Sequence, residues 1–223
     1  MLIDLRVTLN DAEFAAGVAV AYQVSVGPSP PELSQRIEQL VARRAAEEFP
    51  PPNIRQAIRD MLRKGGFKPA GRNKPASEYL AQAAREGRFP RIDNLVDVNN
   101  LVSLESGLPI SLLDLDAVGP RAEIRYGREG EKYVFNAAGQ EIDLGGLMCL
   151  CRVDESGAST PLGNPIKDSM AGKLTPRTRN VVGVIYASTR AIDTPSLQRI
   201  AAEFATLLQQ FGGAADAQNA VLR

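Results

Sequence analysis

The feature that most constrains this chain is a change of texture at Pro120. Upstream, apolar residues recur at helical spacing between breaks marked by proline and glycine. Downstream they gather into short β-type runs separated by Gly and Asn. Ser29-Pro30-Pro31-Glu32 has the spacing of a capping box with proline in the first turn, and Leu33, Ile37, Leu40 and Val41 share one face behind it. Pro50-Pro51-Pro52 ends that helix, and Asn53 is placed to cap a second one carrying Ile54, Ile58, Met61 and Leu62. Gly65-Gly66 stops it, and a third helix is expected from Ala76 to Arg85. Before these helices, LIDLRVTL alternates like a strand, and Val18 to Val26 reads as another. After Pro120 come AEIRYG, EKYVFNA, EIDLG and LMCLCRVDE, then VVGVIYAS as the clearest strand. Thr194-Pro195-Ser196 opens a last helix whose face holds Leu197, Ala201, Phe204, Leu208 and Phe211.

This order argues for an α+β fold, a β-rich core of mixed-sheet or barrel-like form flanked by helices. One domain over 1–223 is expected: N-terminal strands and helix over 1–54, the core over 55–190, a closing helix over 191–211 and a frayed tail over 212–223.

Histidine is absent, which excludes imidazole bases, Ser-His-Asp triads and His-ligated metals. The two cysteines, Cys149 and Cys151, fall short of a closed zinc site and are too close for an unstrained disulfide, so reduced core thiols are expected. No cofactor is implied. No apolar run approaches a membrane span, and MLIDLRVTLND lacks the pattern of a secretory signal, so a cytoplasmic location without membrane association is expected. Net charge is zero but unevenly spread. Arg55, Arg59, Arg63, Lys64, Lys68, Arg72 and Lys74 face only Asp60 over their stretch of chain. A second basic region holds Lys167, Lys173, Arg177, Arg179 and Arg190 against Asp168. Such segregation suits either a solvated helix face or a polyanion partner such as RNA.

The segment LVDVNNLVSLESGLPISLLDLDAVG, Leu95 to Gly119, is unusual for scaffold. Asp97, Asn99 and Asn100 interrupt its apolar run, and such side chains compete for the backbone in a helix. A turn, a polar network or a ligand site is expected there. The segment resembles the editing domain of the phenylalanyl-tRNA synthetase beta subunit, its B3/B4 domain. The matching steps are Val96-Asp97-Val98-Asn99-Asn100, Leu104-Glu105-Ser106-Gly107-Leu108-Pro109 and Ser111-Leu112-Leu113-Asp114. Further on, Ile124 to Glu131 and Thr175 to Val182, with Thr178 and Asn180, are similar to later steps of that family. The likeness covers about Arg55 to Ala187 and implies the domain standing alone.

In that family the domain hydrolyses mischarged aminoacyl-tRNA, so the resemblance implies a tRNA or other RNA partner and an aminoacyl group or amino acid as ligand. Ser111 stands where many bacterial members have His, and Val184 where they have a Glu that reads tyrosine. Asn99, Asn100, Ser111, Lys167, Ser169 and Thr175 are the expected ligand contacts. Asp168 or Asp114, or a ribose hydroxyl of the substrate, is the candidate activator of water. The alternative is a non-catalytic module binding RNA or an amino acid through the same pocket.

Overall fold

The two runs richest in small and β-branched residues build the centre of the molecule. The computed structural model describes residues 3–223, so Leu2 of the first expected strand lies outside the described residues. β2 (Phe14–Tyr22) and β9 (Asn180–Ser188) pair antiparallel over their full length. β3 (Ile110–Asp114) lies on the far side of β9, and β10 (Asp216–Leu222) on the far side of β2. The sheet order is therefore β10-β2-β9-β3. The segment expected to fray is thus an edge strand, paired with β2 from Asp216↔Tyr22 to Leu222↔Ala16. Val18 to Val26 was the expected run of β2; the strand starts earlier because Phe14, Ala15 and Ala16 are buried and in register with β9.

A second sheet has the order β1-β4-β7-β8, from β1 (Asp4–Val7), β4 (Arg121–Tyr126), β7 (Met148–Val153) and β8 (Ser159–Gly163). The β1–β4 pair is parallel, and the β4–β7 and β7–β8 pairs are antiparallel. β5 (Lys132–Val134) and β6 (Glu141–Asp143) form a separate hairpin. The sheets are open and no closed barrel forms among the described residues. Arg125 and Glu131 make a two-pronged ion pair at 2.7 and 2.8 Å behind the β4–β5 turn, and that pairing holds the Glu131 carboxyl below its ordinary range. Cys149 and Cys151 are free, buried thiols whose pKa values burial pushes up.

The helices follow the expected order with different caps. α1 (Pro31–Ala45) buries Leu33, Ile37 and Leu40. Its capping box does not form: Ser29 donates instead to Asp97 at 2.7 Å. α2 (Pro52–Arg63) starts with proline in its first turn, so Asn53 lies inside the helix rather than capping it. α3 (Ala76–Arg85) has the expected bounds. α6 (Thr194–Gly212) is capped by Asp193, which accepts from Ser196 N, and packs on β2. No helix among the described residues is long and apolar enough to cross a membrane.

The Asn-rich segment folds as α4 (Asn94–Ser106), a helix packed among α1, α3, α6 and β3. Asp93 caps its start by accepting from Val96 N at 2.8 Å, and Gly107 ends it in the left-handed region at φ 76°. Apolar residues lie all round it, the pattern of a helix buried on every side. Its polar side chains bind the surrounding loops. Asn94 bonds Gly27 N, Ser25 O and Phe211 O, while Asp97 accepts from Ser29, Arg91 and Ile92 N. Ser103 donates to Leu108 O at 2.7 Å. After β3, a single turn α5 (Leu115–Val118) leads into β4.

Candidate functional site

A cavity of about 660 Å³ opens between α3, α4, the β3 strand and the loop after β8. Its walls are apolar, supplied by Leu80, Val96, Ile110, Leu112, Ile166 and Leu174. Ile110 and Leu112 line it, whereas Ser111 between them alternates to the other side of β3 and is fully buried.

The loop after β8 presents the site's carboxylate. Asn164 is buried, and its Oδ1 accepts from Ile166 N at 2.7 Å and Lys167 N at 2.9 Å. Its Nδ2 donates to the Tyr133 hydroxyl, which in turn donates to Lys167 O at 2.7 Å. Held in this way, the loop brings Asp168 to the cavity wall. Gly163 leaves room for it, because a Cβ there would come within 3.0 Å of Asp168 Oδ1. Asp168 Oδ1 accepts from Ser111 Oγ at 2.6 Å and from Asn164 N at 3.3 Å. Some Asp168 surface stays open to the cavity, but protein crowds the carboxyl. Burial therefore pushes its pKa up to about 7, against the pull of the Ser111 and backbone hydrogen bonds.

A relay runs behind Asp168. Ser111 Oγ lies 3.1 Å from the Tyr186 hydroxyl and 3.2 Å from Asn164 O. The short contact to an ionised Asp168 takes the single Ser111 proton in preference to the longer one to Asn164 O. Tyr186 then donates to Ser111. Burial raises the Tyr186 and Tyr133 pKa values well above that of an ordinary tyrosine, so both remain donors.

Asn99 and Asn100 stand on the α4 side of the cavity. Asn99 Nδ2 donates to Asn100 Oδ1 at 3.4 Å, which leaves the buried Asn99 Oδ1 without a partner. An unsatisfied buried amide oxygen costs about 1–3 kcal/mol, and a ligand or water that donates there removes the cost. The mouth is basic. Arg72, Lys74, Lys167 and Lys173 line it, none of them within ion-pair distance of a described carboxylate. Lys167 Nζ sits 4.1 Å from the Phe135 ring centroid; burial, with neighbouring Arg72, lowers its pKa.

Asn99, Asn100, Lys167 and Asp168 thus line one cavity, with Ser111 directly behind it. The other expected site residues, Asp114 as a candidate activator of water and Ser169 and Thr175 as ligand contacts, stand elsewhere. Asp114 caps α5 by accepting from Asp116 N at 2.9 Å and also accepts from Thr178 Oγ1 at 2.5 Å, so it is committed to holding the backbone. Thr175 accepts from Arg177 N within the following turn, and Ser169 caps a short 3₁₀ turn through Ala171 N. Neither lines the cavity. The basic ladder is largely neutralised: Arg55 pairs with Glu48, Arg59 with Glu78, Arg63 with Asp60, and Lys64 with Asp11 and Glu13. Lys68 lies beside a separate, smaller pocket, and of that run only Arg72 and Lys74 reach the cavity. Asn164, Tyr133 and Tyr186 were not legible as site residues. The turn signal Gly163-Asn164-Pro165 and a lone Tyr in the most apolar strand were the available hints.

No cluster of three or more Cys, Asp or Glu side chains placed to hold a metal ion occurs among the described residues. What the cavity offers is a carboxyl that titrates near neutrality, beside amides and within apolar walls. Such a group can take and return a proton.

The chain is similar to phenylalanine–tRNA ligase beta subunits. It is 26% identical to that of Photorhabdus laumondii over 142 residues, covering 60% of this chain and 17% of the relative. With that of Synechococcus sp. it is 24% identical over 188 residues, covering 73% and 22%. A 72-residue stretch is 35% identical to the Pseudomonas fluorescens subunit and covers 9% of it. The matches therefore span less than a quarter of these relatives' length. Among solved structures, an N-terminal fragment of the phenylalanyl-tRNA synthetase beta subunit from Pyrococcus horikoshii aligns with all of this chain and 51% of its own, at 12% identity and a TM-score of 0.43. The profile of the B3/4 domain matches residues 67–211. That match runs from the segment after α2 through the cavity-bearing loop to the last turn of α6, and the chain belongs to the B3/4 domain family.

Proposed function

We propose that the cavity receives the aminoacyl end of a charged tRNA and that the chain hydrolyses the ester of a mischarged one. Membership of the B3/4 domain family, with phenylalanine–tRNA ligase beta subunits as relatives, supports a tRNA substrate. The observation that carries the reading is Asp168, a carboxyl at the cavity wall with a pKa of about 7. Near neutral pH about half of it is ionised, and as carboxylate it can take a proton from water attacking the ester carbonyl carbon. The C–O bond to the ribose then breaks, and the proton returns to the ribose oxygen. Free amino acid and uncharged tRNA leave. Asn99 and Asn100 supply hydrogen bonds to the aminoacyl group or terminal nucleoside, while the apolar walls take its side chain and exclude bulk water.

The test is deacylation of a panel of correctly and incorrectly charged tRNAs by wild type, Asp168→Asn and Asn100→Ala. Hydrolysis of one mischarged species should fall at least a hundredfold in Asp168→Asn. Binding of the panel without hydrolysis by wild type would leave a non-catalytic binding module. Asp168→Asn as active as wild type would remove Asp168 from the mechanism.

A further inference from the structure

Each of the two larger sheets ends in two outer strands, and three of those edges are closed against pairing with another chain. β1 is four residues long and carries the exposed charges Asp4 and Arg6. β8 contains Pro161 and pairs with β7 through a register shift, and its Leu162 O already accepts from Ser169 N at 2.8 Å. β3 is held from outside by Asp168, which accepts from the Leu112 backbone N–H. Short strands, charges, proline, irregular register and a covering loop are the devices that blunt a sheet edge.

β10 has none of them. Its seven residues pair with β2 without a register shift, contain no proline or lysine, and carry one charge, Asp216, at the first position. Successive residues of a strand turn their N–H and C=O groups to opposite edges, so β10 presents a row of them outward. Among the described residues no strand and no backbone hydrogen bond meets that outer side. Positions 217–222 are partly exposed and uncharged. At the start of this run Asp216 accepts from Gln218 at 2.8 Å, and just past its end Arg223 donates to Thr194 Oγ1. Neither charge forms an ion pair among the described residues.

We propose that β10 is the contact through which two copies of this chain associate. The two β10 strands run antiparallel across a two-fold axis and join the four-stranded sheets of both copies into one. Charge complementarity selects a second copy over an unrelated strand. In an antiparallel pair the start of one strand lies beside the end of the other. A two-fold axis at the middle of β10 therefore brings Asp216 of each copy beside Arg223 of the other, with only uncharged side chains meeting between them. The same patch serves both copies, so two of them close the contact and no filament grows. Ile110 and Leu112, which line the cavity, lie on β3 at the opposite edge of the sheet, so both cavities stay open. The association is independent of any hydrolysis at Asp168.

The test is analytical ultracentrifugation of the whole chain over the micromolar to millimolar range, at low and high salt. Wild type should pass reversibly from monomer to dimer, because a single strand edge is a small interface. The dimer should weaken as salt rises. Asp216→Arg and Arg223→Asp should each raise the dimer dissociation constant about tenfold, since each turns two attractive contacts into repulsive ones. Asp216→Arg combined with Arg223→Asp should return it to within about threefold of wild type. Ala220→Glu brings two carboxylates together at the axis and should leave a monomer. Matching thermal unfolding curves at low concentration verify that each variant is folded. A monomer at every concentration, a dimer that Ala220→Glu leaves intact, or a double variant no better than the single ones would overturn the proposal.

Discussion

Asp168 sets a buried carboxyl against the stability of the fold. Its pKa is raised to about 7 in the folded chain, against an ordinary value of 3.8. The folded state therefore holds a proton that the unfolded chain releases between about pH 4 and pH 7, and stability falls as pH rises through that window. The full shift corresponds to at most about 4 kcal/mol. Asp168→Asn should flatten this dependence in denaturant titrations from pH 4 to pH 8 and be more stable than wild type at pH 8. An unaltered pH profile would show that the carboxyl is not held neutral. Ser111 and Tyr186 act on the same group from behind. Ser111→Ala removes the donor at 2.6 Å that favours the carboxylate, so the acidic limb of the pH–rate profile should move to higher pH. Tyr186→Phe, one bond further away, should move it less and in the same direction. A general loss of folding would lower the rate at all pH values without moving the limb.

At the scale of the element, α4 is held by its brackets rather than by intrinsic propensity. Asp97 is buried and collects Ser29, Arg91 and Ile92 N, so that the entry to α1, the loop after α3 and the first turn of α4 meet on one carboxylate. Asp97→Ala removes the buried acceptor shared by Ser29, Arg91 and Ile92 N and should destabilise the protein by about 3 kcal/mol in chemical unfolding. Gly107 adds a backbone constraint: its φ of 76° favours glycine, and a Cβ would meet Pro50 at 3.0 Å. Gly107→Ala should cost about 1–2 kcal/mol by the same measurement. A helix interrupted by Asn and Asp reads locally as a turn or a ligand site. Here it is helix, network and cavity wall together, because tertiary hydrogen bonds satisfy the side chains that would otherwise compete for the backbone.

For the whole molecule, the β10 ladder is the surprise of the C-terminus. DAQNAVL has neither the apolar alternation of β1 nor the continuous apolar run of β9, and it follows two glycines, Gly212 and Gly213. Its seven paired positions cover the edge of β2, the strand that together with β9 organises the larger sheet. Removing residues 214–223 should therefore lower the melting temperature and promote association through the uncovered edge, read by calorimetry and light scattering. Unchanged melting and a monodisperse truncated chain would mean that the ladder adds nothing to the sheet.

Local chemistry in the sequence determined a great deal: the α+β order, the bounds of α3, the apolar face of α6, strand β9, and Asn99, Asn100 and Asp168 as polar residues set among apolar ones. These follow from periodicity and from turn residues, which act over a few positions. Only the tertiary structure decided which charges are free. The α2 arginines suit a solvated helix face or a polyanion surface alike until Glu48, Glu78 and Asp60 close on them, and Asp114, one of the candidate activators of water, accepts from Thr178 and caps α5 away from the cavity. Tyr133, Asn164 and Tyr186 joined the site for the same reason. A buried hydrogen bond pairs residues far apart in the chain, and the energy that selects the pair exists only once the surrounding core has excluded water.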